Sequence, residues 1–402
     1  MKKLLLAYSG GLDTSFCVHY LHHQLGYEVH TALVDTGGFA GAELADIEAR
    51  AYRLGATSFR RIDALEDYYQ QCIKFLIFGN VLRNNTYPLS VSAERTTQAL
   101  ALSAYAAELG VGAIAHGSTG AGNDQVRFDL VFLTQLPEVE IITPIRDMQW
   151  SRAQTVEYLR EHGFDWTSER AKYSINKGIW GTSVGGVETL TAERPLPDSA
   201  FPSPLTATGP REVEVTFERG EVCAINGQVA DPITCIQRLQ NLAAPYAIGR
   251  DHHVGDTIIG IKGRVGFEAA AALLLIKSHH LLEKHTLSKW QQYWKGQLAE
   301  WYGMSLHEGQ YLDPVMRNIE GFLQDSQERV SGTVSVKLYP YRFELLGCDS
   351  PFDLMRSKAG TYGEANRAWT GEEARGFIKI TANAHRIYQQ AGQVPSPENI
   401  AE

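Results

Sequence analysis

The sequence predicts an α/β protein that opens with a doubly wound parallel sheet and continues into an α+β region and a C-terminal arm. Residues 1 to about 165 alternate apolar, strand-like runs with segments of helical spacing, which is typical of a parallel sheet covered by helices. Farther along, short alternating runs pair around turn residues. Since 402 residues exceed the usual size of one domain, we expect three parts: residues 1–167, 168–360 and 361–402.

The first predicted strand, Leu4–Tyr8, leads into the turn Ser9–Ser15, which reads SGGLDTS, and a helix follows at once. Unpaired backbone N–H groups and the positive end of the helix dipole converge in such a turn. Its glycines permit close approach, and its hydroxyl groups add donors, so the turn suits a phosphate or pyrophosphate. It matches neither the P-loop nor the dinucleotide-binding pattern, and a βα turn without any ligand can also be rich in glycine.

The alternation continues through the first region. Further strands are predicted at Val29–Asp35, Ser58–Ile62, Gly112–His116 and Val139–Ile145. Helices are predicted at Ala42–Leu54, at Arg95–Glu108 and from Ser151 to about His162. Glycines end the first two of these helices, and Ser151 can cap the third. Because the strands are expected to be parallel, ligands should bind where their carboxyl ends meet.

The region after about Trp166 has a different character. Residues 194–210 hold five prolines, which predicts a loop or linker. Hairpins are predicted for Glu212–Phe217 with Glu221–Ile225 and for Thr333–Tyr339 with Tyr341–Gly347. Helices are predicted at Asp231–Leu242, Ala269–Lys284, Ser288–Tyr302 and Leu312–Gln324. In the arm, residues around Gly376–Gln390 predict a strand and a helix that dock on another subunit.

Composition narrows the class of protein. A formal net charge of −9 argues against broad nucleic-acid binding and requires local cations wherever an anion binds. The longest apolar run, Ala269–Ile276, is too short for a bilayer, and residues 1–15 lack the cleavage site of a signal peptide. Five scattered cysteines without a CxxC pair predict reduced thiols in a cytoplasmic protein. Three His-His pairs lack nearby thiolates or carboxylates, so we expect them to be surface or core residues.

A second candidate functional segment, His116–Phe128, follows the strand predicted at Gly112–His116. It should lie at the same sheet edge as the first turn. If a helix begins after Gly122, Asn123 and Arg127 lie one turn apart on one face. An arginine there can grip a carboxylate with two hydrogen bonds, and Asp124 can accept from an ammonium group. The set suits an amino acid, although a capped helix with a surface ion pair would look the same.

Both segments resemble those of one known family. SGGLDTS is similar to the SGGxD[ST]S loop of enzymes that split ATP into AMP and pyrophosphate, and Asp13 fits as a partner of Mg²⁺. Together with GSTGAGNDQVRF at residues 117–128, it closely resembles argininosuccinate synthase. The same resemblance extends to Tyr87 with residues 92–95, to residues 173–176 with 180–181, and to residues 259–264. It covers the whole chain, densely through about residue 185.

The resemblance implies an ATP-pyrophosphatase-type nucleotide domain, a synthetase domain and an oligomerisation arm in a cytoplasmic homotetramer. It implies that citrulline and aspartate condense to argininosuccinate through a citrullyl-adenylate, with ATP as substrate, Mg²⁺ as cofactor, and neither nucleic acid nor membrane as partner. Asp13, Asp124 and Arg127 are the catalytic candidates.

The binding residues are likewise implied by the resemblance. For ATP they are Ala7, Tyr8, Ser9, Gly10, Gly11, Leu12, Asp13, Thr14, Ser15, Val34, Ala115, His116 and Gly117. For aspartate they are Thr119, Asn123 and Asp124. For citrulline they are Tyr87, Ser92, Asn123, Arg127, Ser174 and Ser183.

The chain departs from the family pattern near the substrates. Position 121, usually a lysine in the family, is Ala121, and Lys172 or Lys177 could substitute for the missing charge. A glutamate that is usual in the family aligns near Gly255, where Asp256 could replace it. The usual tyrosine and threonine are replaced by Phe267 and Val91. These departures leave three alternatives: an N-acylated citrulline as acceptor, another ATP pyrophosphatase, or a non-catalytic nucleotide-binding relative. A tRNA-modifying pyrophosphatase would need a basic surface, and an amidotransferase a nucleophilic cysteine domain; neither is evident.

Overall fold

The computed structural model describes residues 2–39, 41–166, 173–360, 362–363 and 367–391. The chain divides into two compact units after Phe352. The domain boundaries expected after residues 167 and 360 stay predictions.

The first part of the larger unit is built on a parallel sheet, as predicted. In the described chain its strands are β1 (Lys3–Ala7), β2 (Glu28–Asp35), β3 (Ser58–Asp63), β4 (Ala113–Ala115) and β5 (Glu140–Ile142). They lie in the order β3-β2-β1-β4-β5, and every neighbouring pair is parallel. The chain thus winds outward from β1 in one direction to β2 and in the other to β4. The carboxyl ends of β1 and β4 are adjacent at this switch point, where ligands of such sheets bind.

Helices cover both faces of this sheet. They are α1 (Leu12–His19), α2 (Gly41–Arg53), α3 (Leu65–Tyr68), α4 (Lys74–Phe78), α5 (Glu94–Leu109), α6 (Asp124–Gln135), α7 (Pro144–Asp147) and α8 (Arg152–Glu161). Leu4 and Leu6 pack with α1, α2 and α8, whereas Leu5 packs with α5 and α6. The continuous apolar run of β1 is therefore explained by burial on both faces.

Residues 65–78 form a helical segment to which the sequence analysis assigns no element. A π-helical turn, Tyr69–Ile73, separates α3 from α4. The segment buries Tyr68, Tyr69 and Phe78 in a core shared with the α+β region. Because the π turn shifts the helical period, a regular apolar stripe does not run through the sequence here.

The α+β region holds two antiparallel sheets among its described residues. One has the order β10-β9-β8-β13-β14 and the other β11-β12-β7-β6. Their strands are β6 (Ser174–Gly178), β7 (Gly181–Gly185), β8 (Arg211–Glu218), β9 (Glu221–Ile225), β10 (Gln228–Val229), β11 (Arg250–Asp256), β12 (Lys262–Glu268), β13 (Gly332–Tyr339) and β14 (Arg342–Asp349). Helices α9 (Pro232–Ala243), α10 (Ala270–Thr286), α11 (Lys289–His307) and α12 (Pro314–Asp325) complete the region.

Both predicted hairpins and all four predicted helices of this region are present. The turn between β8 and β9 places Arg219 and Gly220 at φ +48° and +82°, the left-handed pair that fits a tight hairpin. The sheet of β6, β7, β11 and β12 is not predicted. Its strands SINKG and GTSVG are short, polar and rich in glycine, and they lack the alternation on which strand prediction depends. Within residues 194–210, Asp198–Ala200 forms a single 3₁₀ turn, consistent with the predicted loop.

The smaller unit contains helix α13 (Gly371–Ala391), which confirms the predicted helix of the arm. The expected strand is not found among the described residues of the arm. None of the side chains of α13 is buried, and Phe377, Ile380, Ile387 and Tyr388 are exposed by 58–84%. At their spacing these four side chains follow one helix face.

Two general expectations can be compared with the described chain. None of its helices is long and apolar enough to cross a membrane. None of the five cysteines forms a disulfide in the described chain, in agreement with the expected reduced thiols.

Candidate functional site

A cavity of about 1270 Å³ lies at the switch point of the parallel sheet. The loops after β1 and β4 form one side of it, and strands β6 and β7, the β11–β12 hairpin and the end of α11 form the other. The predicted residues that line it are Ala7, Tyr8, Ser9, Gly10, Gly11, Leu12, Asp13, Thr14, Val34, Tyr87, Ser92, His116, Gly117, Thr119, Asn123, Asp124, Arg127, Ser174 and Ser183. Ser15 and Ala115 do not line it; both are fully buried behind the wall.

The loop after β1 uses the backbone N–H groups of Ser9 and Gly11 in hydrogen bonds within the loop, and it leaves the N–H groups at the start of α1 without a partner among the described residues. Gly10 has φ +73°, and a Cβ there would lie 2.7 Å from Cγ1 of Ile47, so only glycine fits without rearrangement. Gly11 is the N-cap of α1 and contributes no side-chain cap. Arg50 donates from Nη1 to the carbonyl oxygen of Gly10 at 2.6 Å, which fixes the turn. The N-terminal amides of α1 therefore remain open toward the cavity.

The loop after β4 packs directly against the first loop. A Cβ on Gly117 would lie 3.2 Å from the carbonyl carbon of Asp13, so the absence of a side chain permits this contact. The preceding His116 is buried; its Nδ1 accepts from the backbone N–H of Ser118 at 3.2 Å, and its Nε2 donates to Asp129 at 2.8 Å. These bonds fix the tautomer and orientation of a ring that lines the cavity.

Asp13 projects into this junction without a hydrogen bond or salt bridge from any described residue. Burial raises the pKa of its carboxyl group, and the positive charge of Arg152 partly opposes that rise. Arg152 also lines the cavity. A carboxylate that is partly desolvated and unpaired can take a cation.

Asp124, at the start of α6, lies between two arginines. Its carboxylate accepts from Nε of Arg95 at 3.0 Å and from Nη1 of Arg127 at 2.9 Å. Burial by itself would raise the pKa of Asp124, but the two guanidinium groups outweigh it and hold the pKa at about 2. Asp124 is therefore ionised at neutral pH and binds a proton weakly.

Arg127 is buried and tied to the α+β region as well. Its Nε donates to the carbonyl oxygen of His307 at 2.9 Å, and its Nη2 donates to Nδ1 of the same residue at 3.2 Å. Burial and the charge of Arg127 lower the pKa of His307 to about 2, so the ring is neutral and can accept. With the bond to Asp124, three of the five guanidinium hydrogens are used by described residues, and two remain for a ligand.

Asn123 and Asn176 join further elements to the site. The side-chain oxygen of Asn123 accepts from the backbone N–H of Ile258 at 2.9 Å, which holds the β11–β12 turn against α6. Asn176 accepts from Nη2 of Arg95 at 3.2 Å and lies opposite Ser183 across β6 and β7. Ser174 lies in the same sheet, and its residue is exposed.

Several cavity residues escape the sequence analysis. No role is predicted from the sequence for them, although Glu94, Asn176 and Arg264 lie in segments that carry the family resemblance; among them are Arg50, Glu94, Arg95, Arg152, Asn176, His253, Arg264 and His307. Arg50, Arg152 and His307 lie on helices distant in sequence from both loops, so no local pattern marks them. Glu94 and Arg95 follow Ser92 in the segment 92–95, and their position as a charged pair at the start of a predicted helix is a signal from which a functional role could be predicted.

The positions at which the chain departs from the family pattern lie partly inside and partly outside the cavity. Ala121 is exposed and does not line the cavity. Lys177 lines the cavity, whereas Lys172 lies outside the described residues. Asp256 also lines it, but its carboxylate pairs with Lys262 at 2.6 Å. Phe267 is fully buried outside the lining, against the ring of Tyr87 at 5.2 Å.

Comparisons with known proteins agree along the whole chain. Residues 3–165 match the model of the argininosuccinate synthase N-terminal HUP domain, and residues 173–388 match that of the C-terminal domain. Argininosuccinate synthase of Xanthomonas campestris is 37% identical, with 98% of this chain and 99% of that protein covered. Those of Dictyoglomus turgidum (35%; 97% and 98% covered) and Methanocaldococcus jannaschii (34%; 96% and 97% covered) are similar at nearly the same extent. With both domains matched and the loop Ser9–Ser15 at the switch point of its sheet, the chain belongs to the argininosuccinate synthase family.

Proposed function

We infer that the protein is an ATP-dependent ligase of arginine biosynthesis that condenses citrulline with aspartate to argininosuccinate and releases AMP and pyrophosphate. The observation that carries this inference is the match to both family domains over nearly the whole chain. Neither an N-acylated acceptor nor a non-catalytic role is favoured by these matches.

The cavity supports a division of labour among its walls. The loop after β1 and the adjoining His116 and Gly117 suit ATP, because open amides and the helix dipole face the phosphates. Val34 supplies an apolar wall for the nucleotide. Ser15 and Ala115 act from behind, by holding the loop and strand in place.

We assign the amino-acid substrates to the other polar residues of the cavity. Thr119, Asn123 and Asp124 cluster at the start of α6, and we assign them to aspartate. For citrulline, Arg127 offers two N–H groups, and the remaining assigned residues approach from the other side: Tyr87, Ser92, Ser174 and Ser183. Because Asp124 has a pKa of about 2, we assign it to holding the ammonium group and the arginines, and not to proton transfer.

No side-chain nucleophile is needed for this chemistry. The ureido oxygen of citrulline attacks the α-phosphorus of ATP and pyrophosphate leaves, which converts a poor leaving group into AMP. The nitrogen of aspartate then attacks the ureido carbon of citrulline, and AMP leaves. Positioning supplies much of the rate, since well-oriented neighbours reach effective molarities of about 10⁵–10⁸ M.

The residues near the polyphosphate fit a magnesium ion. Asp13 is an unpaired oxygen ligand among the described residues, and no cluster of three or more metal-binding side chains is found there. Mg²⁺ commonly binds through one or two carboxylates plus substrate phosphates and waters, so a single aspartate suffices. We propose that Asp13 holds the ion, which offsets the phosphate charge when bound. Arg50 and Arg152 add positive charge on the same side.

A homotetramer in the cytoplasm completes the proposal. The exposed apolar face of α13 supports subunit contact, since such a face is stabilised when another surface covers it. Free cysteines support a reducing compartment.

Substrate dependence tests the proposed function. AMP and pyrophosphate should form from ATP only when citrulline and aspartate are both present, and argininosuccinate should accumulate in equal amount. N-acetylcitrulline is assayed in parallel. Turnover of the acylated acceptor without turnover of citrulline would reject the proposed acceptor, and AMP formation that needs neither amino acid would reject the ligase function.

A further inference from the structure

The second half of the ligase reaction needs a proton acceptor. At neutral pH the nitrogen of aspartate is an ammonium group, which has no lone pair with which to attack carbon. A group in the cavity must therefore take a proton before the carbon–nitrogen bond forms. Such a group should bind a proton at a pKa near the operating pH and have an oxygen or nitrogen open to the substrate.

The titratable groups around the proposed amino-acid site differ in how well they can accept this proton. Asp124 has a pKa of about 2, because two guanidinium groups outweigh the effect of its burial. His307 also has a pKa of about 2, and its Nδ1 already accepts from Arg127. His253 has a pKa of about 4, lowered by burial and by the nearby Arg83. Each of these groups holds a proton too weakly at neutral pH.

Glu94 differs in position and environment. It is the first residue of α5, 1% exposed, and lines the cavity wall. Its Oε1 accepts from Nη1 of Arg95 at 2.7 Å, and the same guanidinium binds Asp124 through Nε at 3.0 Å. A single arginine side chain thus joins Glu94 to the residue assigned to aspartate.

One oxygen of Glu94 keeps an open acceptor position. Its Oε2 accepts from the hydroxyl of Thr36 at 3.0 Å and from no other described residue, although a carboxylate oxygen can accept twice. A Cβ on Gly178 would lie 2.2 Å from Oε2, so the missing side chain of β6 creates the space in which this oxygen stands.

The charges around Glu94 do not keep it fully ionised. Burial raises its pKa to about 7, although Arg95 and the Thr36 hydroxyl lower it. The negative charge of Asp124 on α6 contributes to this rise, and burial together with the charge of Glu94 raises the pKa of the neighbouring Tyr68. Two carboxyl groups beside one arginine thus have pKa values driven apart, which is the arrangement that separates a fixed charge from a proton acceptor.

We propose that the carboxylate of Glu94 accepts the proton that the aspartate ammonium loses before its nitrogen attacks the activated citrulline. The inference rests on the ligase function described above. Glu94 becomes a neutral acid, the freed lone pair forms the carbon–nitrogen bond, and the carbon–oxygen bond breaks with its electron pair on AMP. The second nitrogen proton is lost as AMP departs, to the phosphate oxygen, and leaves a guanidinium product.

The variant Glu94→Gln separates the two halves of the reaction. Exchange of labelled pyrophosphate into ATP in the presence of citrulline reports adenylate formation, and it should stay near the wild-type rate. The complete reaction should slow by about 10²–10⁴-fold, the usual contribution of a general base. The acid limb of kcat/KM for aspartate, expected near pH 7 in the wild type, should disappear. Equal loss of exchange and of the complete reaction, or an unchanged acid limb, would overturn the proposal.

Glu320→Gln is the matched control. Glu320 is also buried, accepts from Arg317 and Tyr302, and has its pKa raised by burial, but it lies outside the cavity. Its replacement should leave both rates and the acid limb unchanged. If Glu94→Gln does not fold, Thr36→Val should move the acid limb to higher pH, because it removes a bond that lowers the pKa of Glu94; no movement would overturn the proposal. Absence of citrulline-dependent exchange in the wild type would instead refute the ligase function.

Discussion

Replacement of Arg127 by alanine should eliminate most activity while the protein stays folded. Arg127 is 4% exposed, lines the cavity, and has two N–H groups that described residues leave unused, which we assign to citrulline. Hydrogen bonds to a charged group contribute about 1.5–3 kcal/mol each, so two of them correspond to about 3–6 kcal/mol. At 1.36 kcal/mol for each factor of ten, kcat/KM for citrulline should fall by about 10²–10⁴-fold.

The same substitution should also destabilise the fold. It leaves the carbonyl oxygen and Nδ1 of His307 without their donor, and each unsatisfied buried group costs about 1–3 kcal/mol. Asp124 keeps its bond to Arg95. The expected loss of about 2–6 kcal/mol is within the stability of many domains, which is about 5–15 kcal/mol.

Steady-state kinetics and urea unfolding measure the two effects. Arg250→Ala is the matched control, because Arg250 is similarly buried and bonds Glu268, Asp198 and the carbonyl oxygen of Ser203 outside the cavity. It should destabilise the fold by a similar amount and leave kcat/KM nearly unchanged. Near-normal citrulline saturation in Arg127→Ala, or an equal loss of activity in Arg250→Ala, would refute the assigned role.

Three further predictions concern the scaffold. Gly10→Ala should weaken ATP binding and destabilise the fold by about 1–3 kcal/mol, because the new methyl group meets Ile47; unchanged nucleotide titration would contradict this. Burial lowers the pKa of His279 to about 4, whereas the pKa in the unfolded chain is near 6.5. The stability that depends on neutral His279, about 3 kcal/mol, is therefore fully present above pH 6.5 and is lost as the pH falls toward 4. Urea unfolding of the wild type and His279→Gln should therefore converge at acid pH, and a constant difference would contradict the assignment. Lys295→Met removes the ammonium partner of buried Glu283 at 2.9 Å, although Asn80 and Gln327 still donate to its carboxylate, and it should cost about 3–5 kcal/mol. Glu283→Gln should restore part of this loss, and a neutral single variant would contradict the pairing.

The sequence predicts best what is determined locally. The apolar run of β1 and the glycines that follow it require no distant contact, so both strand and loop are predicted where they occur. The β8–β9 hairpin is similarly specified by Arg219-Gly220. The contact between the loop after β4 and the loop after β1 follows once the sheet is parallel, because β1 and β4 end at the same edge.

What the sequence does not predict depends on distant contacts. Strand β7 pairs with β12 about 80 residues later, and neither strand has an alternating pattern. The contacts of Arg127 with His307 join positions 180 residues apart, so they cannot be read from spacing. Asp124 shows the consequence: its carboxylate fits an ammonium partner by sequence, but only the structure reveals the two arginines that make it a weak base.

Transfer of the ureido oxygen tests the central claim most directly. Citrulline labelled with ¹⁸O in the ureido group is turned over with ATP and aspartate, and the masses of the products are measured by mass spectrometry. We expect one ¹⁸O atom in AMP and none in pyrophosphate, because the citrulline oxygen attacks the α-phosphorus in the cavity beside Ser9–Ser15 and leaves with AMP. Unlabelled AMP formed together with argininosuccinate would contradict it.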